Sequence, residues 1–272
     1  MTVPPRTVRG RQLRAIARRE ASRSLAGRRL LPLGILAILP VVLAVLRAVF
    51  LPESRAADVS GGVAEFSQVF WVFILRIVVF FSAAHAFVKT FRSEITDETL
   101  HWSLMAPLRR RELVIGKFTG AWIATSLVLA ASTAATWALY LVPHSSHLGD
   151  FLARAGVVHL VRYLVVVVVA CAAYGAIFLL MGLYFRSPMI PAVVLLGWEA
   201  LTPFLPAALK SLTVVNHLAA LLPVPVQLGS FAVASTAPPA WLAVGALVAC
   251  VVVFLAFAVR RSRRLEVCYS AE

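Results

Sequence analysis

The sequence contains few charged residues and few cysteines. Only 14% of its 272 residues are Asp, Glu, Lys or Arg, whereas a soluble domain has about 25%. The three cysteines, Cys171, Cys250 and Cys268, form no Cys-x-x-Cys pair, so neither a disulfide framework nor a cysteine-rich metal site is predicted. With 61% hydrophobic residues, the composition excludes a soluble enzyme, a disordered chain and a secreted disulfide scaffold.

The sequence also lacks a nucleotide-binding loop. Such a loop is rich in glycine and ends in Gly-Lys followed by Ser or Thr, because its N–H groups surround the phosphates. The only Gly-Lys pair, Gly116-Lys117, is followed by Phe118 at the mouth of an apolar run. We therefore do not expect the chain to hydrolyse ATP, and we expect Lys117 to snorkel toward the membrane interface.

Long apolar runs dominate what is present. A membrane-spanning helix needs about 20 apolar residues. Six runs fit or approach that length: Leu30–Phe50, Ser67–Val88, Phe118–Val142, Leu160–Phe185, Met189–Pro206 and Ala240–Val259. The sequence shows neither the alternating pattern of a membrane β-barrel nor an internal repeat. It therefore predicts an all-α integral membrane protein with six transmembrane helices in one domain, residues 30–259.

The basic residues are unevenly placed, and their placement predicts an orientation. The chain has 26 Lys and Arg against 12 Asp and Glu, a net charge of +14. Most basic residues lie in residues 1–29, in residues 89–117, at Arg186 or in the tail 260–272; the exceptions are Arg47, Arg55, Arg76, Arg154, Arg162 and Lys210. Because basic loops stay in the cytoplasm, both termini are expected there. The same rule explains the net charge better than nucleic-acid binding does.

Residues 1–29 carry nine arginines and a single acid, Glu20. An apolar stripe at helical spacing is formed by Leu13, Ile16, Ala17, Ala21 and Leu25. The pattern predicts an amphipathic helix that lies in the headgroup region of the membrane, with its arginines on anionic lipid. An Arg-rich targeting segment is the alternative.

The longest predicted cytoplasmic connection, residues 89–117, has a distinctive order of charges. An acidic start (Glu94, Asp97 and Glu98) precedes a short apolar run, Thr99–Met105, and basic residues follow Pro107. Such an element is suited to docking in a groove of another protein. A solvated loop that obeys the positive-inside rule has the same composition, so the residues alone leave both readings open.

Three stretches of this connection resemble the first cytoplasmic loop of ABC-2 type transporter permeases: Glu94-Ile-Thr-Asp-Glu-Thr-Leu, Pro107-Leu-Arg-Arg-Arg-Glu-Leu and Gly116-Lys117. The resemblance implies a homodimer or heterodimer of permeases driven by separate ABC ATPase subunits, which bind ATP and Mg²⁺, whereas this chain binds no cofactor. It also implies that the loop receives the ATPase movement. The residues that it assigns to ATPase coupling are Glu94, Thr99, Leu100, Trp102, Leu104, Met105, Pro107 and Arg111.

The same resemblance implies further roles for the rest of the chain. Residues 1–29 become a connecting helix on the membrane surface, and residues 201–239 become external re-entrant helices, although their prolines also fit a plain external loop. The implied function is export across a cell membrane, the bacterial inner membrane. Because the spans carry few polar side chains, we expect a lipidic or amphipathic cargo. The alternative is an integral-membrane enzyme, or a membrane anchor for a soluble partner, without transport; a secondary transporter is disfavoured by the absence of repeats.

Two charged residues fall inside the predicted spans. Arg76 lies nine residues into the second span and Glu199 ten residues into the fifth, so both are expected about 13–15 Å deep. An unpaired charge at that depth costs at least about 2.5–3.5 kcal/mol. We therefore predict that Arg76 and Glu199 pair, within one chain or across a dimer. The pair is either a structural contact or part of the transport path.

Overall fold

The computed structural model describes residues 6–26, 30–50, 59–96, 109–142, 156–185, 187–224 and 238–263. These residues form helices and turns and contain no strand. The helices are α1 (Arg6–Leu25), α2 (Leu30–Phe50), α3 (Val59–Val69, the π-helical Phe70–Val79, and Phe80–Thr96), α4 (Arg110–Leu141), α5 (Val157–Tyr184), α6 (Met189–Ala200), α7 (Ala207–Lys210), α8 (Val214–Ala219) and α9 (Ala240–Ser262).

Five of the described helices, α2, α3, α4, α5 and α9, are long and apolar enough to cross a membrane. Their positions agree with five of the six predicted spans, and α2 has the predicted bounds. The predicted fifth span is shorter than expected: α6 ends at Ala200, after 12 residues, whereas the apolar run continues to Pro206. The prediction of an all-α protein with several membrane-spanning helices is thus confirmed in this coarser form.

Helices α4 and α5 form the centre of the fold. In each of them, 61% of the most apolar stretch is buried, compared with 22% in α2 and 17% in α9. Residues of α5 that face α3 and α4, such as Tyr163 and Tyr174, are completely buried. The outer faces of α2 and α9 are therefore available to lipid or to a second chain.

Helix α2 contains Pro40, which removes a backbone donor from the helix. The hydroxyl of Ser132 on α4 donates a hydrogen bond to the carbonyl of Ala37, in the turn of α2 that precedes the proline. The carbonyl that loses its helical donor is that of Leu36, four residues before the proline, so the Ser132 bond lies one residue further along and does not replace the missing one. The Ser132 bond instead fixes α2 against the central helix α4.

After α6 the chain breaks into short helices instead of continuing as one span. A single 3-10 turn, Thr202–Phe204, is followed by α7 and α8. Helix α8 packs against α5 and α9, and its Val215 and Leu218 are completely buried. Residues 201–224 thus form a broken, partly buried element; residues 225–237 lie outside the described residues, and the re-entrant arrangement of 201–239 stays a prediction.

Candidate functional site

The N-terminal helix α1 packs against the first half of α4. Two glycines one helical turn apart on α4, Gly116 and Gly120, allow the close approach. A Cβ at Gly120 would lie 2.4 Å from the carbonyl oxygen of Ala17, and one at Gly116 would lie 2.8 Å from the side chain of Ile16. Small residues permit this contact between membrane helices because the two backbones can approach closely. The apolar stripe predicted on α1 therefore faces protein at Ile16 and Ala17.

A cluster of four charged side chains, of which Glu20, Glu94 and Lys117 are buried and Arg23 is partly exposed, joins α1, α3 and α4. The Lys117 ammonium donates a hydrogen bond to Glu94 Oε1, and lies 3.8 Å from Glu20 Oε2. Arg23 Nη1 donates to the same Glu94 oxygen at 3.1 Å. Two carboxylates and two cations make the cluster neutral, which offsets the large cost of burying each charge.

The position of Lys117 corrects one prediction. Its side chain is only 4% exposed, and it also donates to the carbonyl of Thr90 at 3.3 Å and lies 5.1 Å from the ring centroid of Phe91. Lys117 therefore does not snorkel to the membrane interface. It points into the protein because two buried carboxylates, Glu20 and Glu94, need a cation.

The cluster lies next to the two helix ends that flank the proposed coupling segment. Helix α3 ends at Thr96, two residues after Glu94, and α4 begins at Arg110. Of the residues assigned to coupling, the structure places Glu94 in the cluster and Arg111 on the exposed first turn of α4. The others lie outside the described residues: Thr99, Leu100, Trp102, Leu104, Met105 and Pro107.

A further contact joins the same end of the molecule to α9. Arg110 Nη1 donates a 2.7 Å hydrogen bond to the carbonyl of Ser262, in the last turn of α9. An arginine is favoured there because the carbonyl groups of a helix C-terminus carry partial negative charge. The ends of α1, α3, α4 and α9 are thus connected by polar contacts on one side of the fold.

Arg76 lies on the π-helical part of α3, near the middle of that helix. Its guanidinium carbon is 5.0 Å from the ring centroid of Trp71, a cation–π contact. Its Nε and Nη2 atoms are buried, and they have no hydrogen-bond partner among the described residues. Stretches of π-helix occur often at functional sites, since the widened turn redirects a side chain.

Glu199 is buried at the end of α6 and holds the start of α8. Its two carboxylate oxygens accept hydrogen bonds from the backbone N–H groups of Val214 and Val215, each at 2.9 Å. The Tyr174 side chain of α5 lies near the same carboxylate. Glu199 thus connects α6 and α8 by satisfying two donors that a helix start leaves unpaired.

Arg76 and Glu199 are close enough to attract each other electrostatically. The described residues nevertheless show no ion pair or hydrogen bond between them; the Glu199 oxygens accept hydrogen bonds from the start of α8 instead. The direct pair stays a prediction, including the form in which it crosses a dimer.

Sequence reasoning missed three functional features, two of which had some signal. Glu20 is the only acid among the first 29 residues, which marks it as a partner for a buried cation. Gly116 and Gly120 form the small-xxx-small spacing typical of close helix contacts. The capping role of Glu199 had no such signal, because it depends on backbone groups 15 and 16 residues further along the chain.

Comparison with known proteins found neither a matching family model nor a significant match among curated proteins. Over the residues that it describes, the structure is helical, with five helices long and apolar enough to cross a membrane.

Proposed function

We propose that the chain is the permease subunit of an ATP-binding cassette transporter that exports a lipidic or amphipathic substrate. In this proposal two permeases pair, and ATP hydrolysis occurs on a separate ATPase bound beneath them. The observation that carries the proposal is the charge cluster in which Arg23 and the buried Lys117 contact the buried carboxylates of Glu20 and Glu94. It fastens the N-terminal helix to both helix ends that flank residues 97–108, the segment that resembles a coupling loop.

The cluster supports coupling because it makes three elements move together. Separating Lys117 from Glu94 would leave uncompensated buried charges, which typically costs about 3–5 kcal/mol. A force applied to residues 97–108 therefore acts on the ends of α3 and α4 and on α1 as one unit. Since α4 and α5 form the centre of the fold, movement of this unit reaches the membrane-spanning core.

A sixth crossing is also part of the proposal. The 12 residues of α6 span about 18 Å, less than the roughly 30 Å of a hydrocarbon core. In the proposed topology, α6 enters from the cytoplasm and the short helices α7 and α8 turn back into the outer half of the membrane. Glu199 holds this re-entrant element in place through its bonds to Val214 and Val215.

The exposed faces of the outer helices support a lipidic or amphipathic substrate. Large apolar side chains project from α6, where Met189 is 75% and Ile190 71% exposed, and from α9, where Trp241 is 76% exposed. In a dimer, such faces border the second chain, the transport path or lipid. A path lined in this way favours apolar cargo over a sugar or an ion.

A single substitution in the coupling segment tests the proposal. In Leu104→Asp, a charge without a partner would enter the apolar groove of the ATPase, at a cost of several kcal/mol. We expect insertion and folded yield to be normal, while ATPase binding and substrate-stimulated ATP hydrolysis by the reconstituted complex are lost. The control Leu104→Met keeps the apolar volume and should behave as the wild type. Normal ATPase binding and transport by Leu104→Asp would contradict the docking role.

A further inference from the structure

Arg76 carries hydrogen-bond donors that no described residue uses. Its Nε and Nη2 atoms are buried, and neither has an acceptor in the described part of the chain. Arg76 also lies near the middle of the membrane-spanning stretch of α3, 15 residues after Gly61 and 18 residues before Glu94. Each separation is about 20 Å or more along the helix. Charged side chains at this depth are rare in membrane proteins and typically mark a substrate or ion pathway.

The acids of the described residues do not supply the missing acceptor. Glu199, the predicted partner of Arg76, accepts hydrogen bonds from the start of α8 with both of its oxygens. The other acids in the described ranges contact different cations or lie in the first turn of a helix: Glu20, Glu65, Glu94 and Glu112. The two Arg76 donors therefore need an acceptor from elsewhere.

A second arginine of the chain shows which group fits this arrangement. Arg47 on α2 donates from the same two atoms, Nε and Nη2, to Oε2 of Glu65 at 2.9 and 2.7 Å. The ring centroid of Tyr140 lies 4.4 Å from its guanidinium carbon, just as that of Trp71 lies 5.0 Å from the guanidinium carbon of Arg76. The two arginines thus share an aromatic neighbour and the same donor edge, and at Arg47 this edge binds a carboxylate.

The electrostatics of the membrane centre favour an anion with a single charge. One guanidinium neutralises one carboxylate, and its planar edge matches the two oxygens of that group. A phosphate monoester carries a charge of about −1.5 to −2, so part of its charge would stay uncompensated in the hydrocarbon. A carboxylate is therefore the anionic group that fits Arg76 best.

The side chains next to Arg76 favour an apolar tail on this anion. Val72, four residues before Arg76, is 51% exposed, and Ile77, the next residue along the helix, is 37% exposed. A ligand that places its carboxylate against Arg76 would lay an apolar tail along this face of α3. Such a ligand is amphipathic, which agrees with the cargo expected from the composition of the spans.

We propose that Arg76 binds the carboxylate of an amphipathic ligand at the centre of the membrane, with Nε and Nη2 as the donors. Because these two atoms are enclosed in this conformation, ligand entry requires a movement of the arginine side chain or of the helices around it. The identification of this ligand as the exported substrate rests on the proposed function, whereas the binding itself does not.

Binding of radiolabelled dodecanoate to the purified chain tests this assignment. The chain is kept in an uncharged maltoside detergent without any ATPase, so the result does not depend on transport. We expect saturable binding that unlabelled dodecanoate displaces. Methyl dodecanoate, which has the same tail without the charge, should not displace it.

Variants of Arg76 show whether this residue is the contact. Arg76→Gln should weaken the binding at least about tenfold, because the hydrogen bonds to a charged group are lost. Arg76→Lys keeps the charge without the two-donor edge and should weaken the binding less. Arg162→Gln, which removes an exposed arginine of α5, is the matched control and should bind dodecanoate as the wild type does.

Four results would overturn the proposal: no saturable binding to the wild type, equal displacement by methyl dodecanoate, unchanged affinity in Arg76→Gln, or an equal loss in Arg162→Gln. Stronger displacement by dodecyl phosphate than by dodecanoate would show that the carboxylate assignment is wrong. The competition uses only the wild type, so it decides even where a variant fails to fold, which thermal unfolding in detergent reveals. A chain that binds no dodecanoate but co-purifies with an ATPase would refute this site and leave the proposed function intact.

Discussion

Lys117 shows how strongly a buried charge depends on its partners. Its ammonium is bonded to Glu94 and lies close to Glu20, and all three side chains are less than 10% exposed. The sequence predicted an apolar environment after Gly116. It did not predict that the carboxylates of Glu20 and Glu94 contact Lys117, because these residues belong to helices that meet α4 only in the folded chain. The sequence therefore gave no indication that the Lys117 side chain is buried inside the protein.

Replacing Lys117 by methionine should strongly destabilise the protein. The substitution leaves Glu20 and Glu94 buried with Arg23 as their only remaining cation in the cluster, and breaking a buried ion pair in this way typically costs about 3–5 kcal/mol. The free energy of unfolding, measured by denaturant titration in detergent, should fall by about that amount.

The double variant Lys117→Met/Glu94→Gln should recover part of the lost stability, since it removes one uncompensated charge. Arg162→Met, at an exposed position, should change stability by less than about 0.5 kcal/mol. A Lys117→Met protein as stable as Arg162→Met would show that the buried cluster contributes nothing.

Glu199 is a second residue whose role depends on a distant turn. Its two oxygens bond to the amides of Val214 and Val215. In Glu199→Ala, hydrogen exchange at these two amides should accelerate at least about tenfold, since a hydrogen bond to a charged group contributes about 1.5–3 kcal/mol. Glu65→Gln, which alters a half-exposed glutamate on α3, is the control and should leave both amides unchanged.

Exchanging the charges of Arg76 and Glu199 distinguishes the capping role of Glu199 from a direct ion pair between the two residues. If Glu199 acts as the cap of α8, the double variant Arg76→Glu/Glu199→Arg should recover none of the folded yield lost in Glu199→Arg, because a guanidinium cannot accept bonds from N–H groups. Recovery of yield in the double variant would show instead that Arg76 and Glu199 pair directly.

At the scale of elements, the apolar runs predicted most of the helices. Where the chain has an uninterrupted apolar run, as in Leu30–Phe50, composition alone fixes a helix, because lipid leaves the backbone no other way to satisfy its polar groups. The predicted fifth span, Met189–Pro206, was too long. Helix α6 ends at Ala200, before Pro203 and Pro206, and Glu199 bonds to the start of α8. The π-helical stretch Phe70–Val79 had no signal in composition or periodicity.

The contact between α1 and α4 leads to a prediction at this scale. In Gly120→Ala, the new methyl group would meet the backbone of Ala17, so α1 must shift. Overpacking of this kind costs about 1–3 kcal/mol, and tryptic cleavage of α1 in detergent should accelerate at least about fivefold. Gly34→Ala is the matched control, because its Cβ would have no heavy atom within 4 Å. Equal cleavage rates in the two variants would contradict the close packing of α1 on α4.

At the scale of the whole molecule, the arrangement of helices required the structure. The sequence predicted spans and an orientation, but hydropathy gave no means of telling that α4 and α5 are central while α2 and α9 are peripheral. That difference arises from small residues and buried polar contacts such as those at Gly120 and Ser132. It also leaves broad apolar faces on α2 and α9, which are available to lipid or to the second chain of our proposal.

If this chain works with a separate ATPase, as we propose, affinity purification from its native membrane in mild detergent should recover both proteins. We expect a stoichiometric partner that contains a nucleotide-binding loop and hydrolyses ATP in the complex. The partner should be lost from Leu104→Asp and reduced after deletion of residues 1–24, whereas Leu104→Met should retain it. An intact, folded chain that purifies without any ATP-hydrolysing partner would contradict the account.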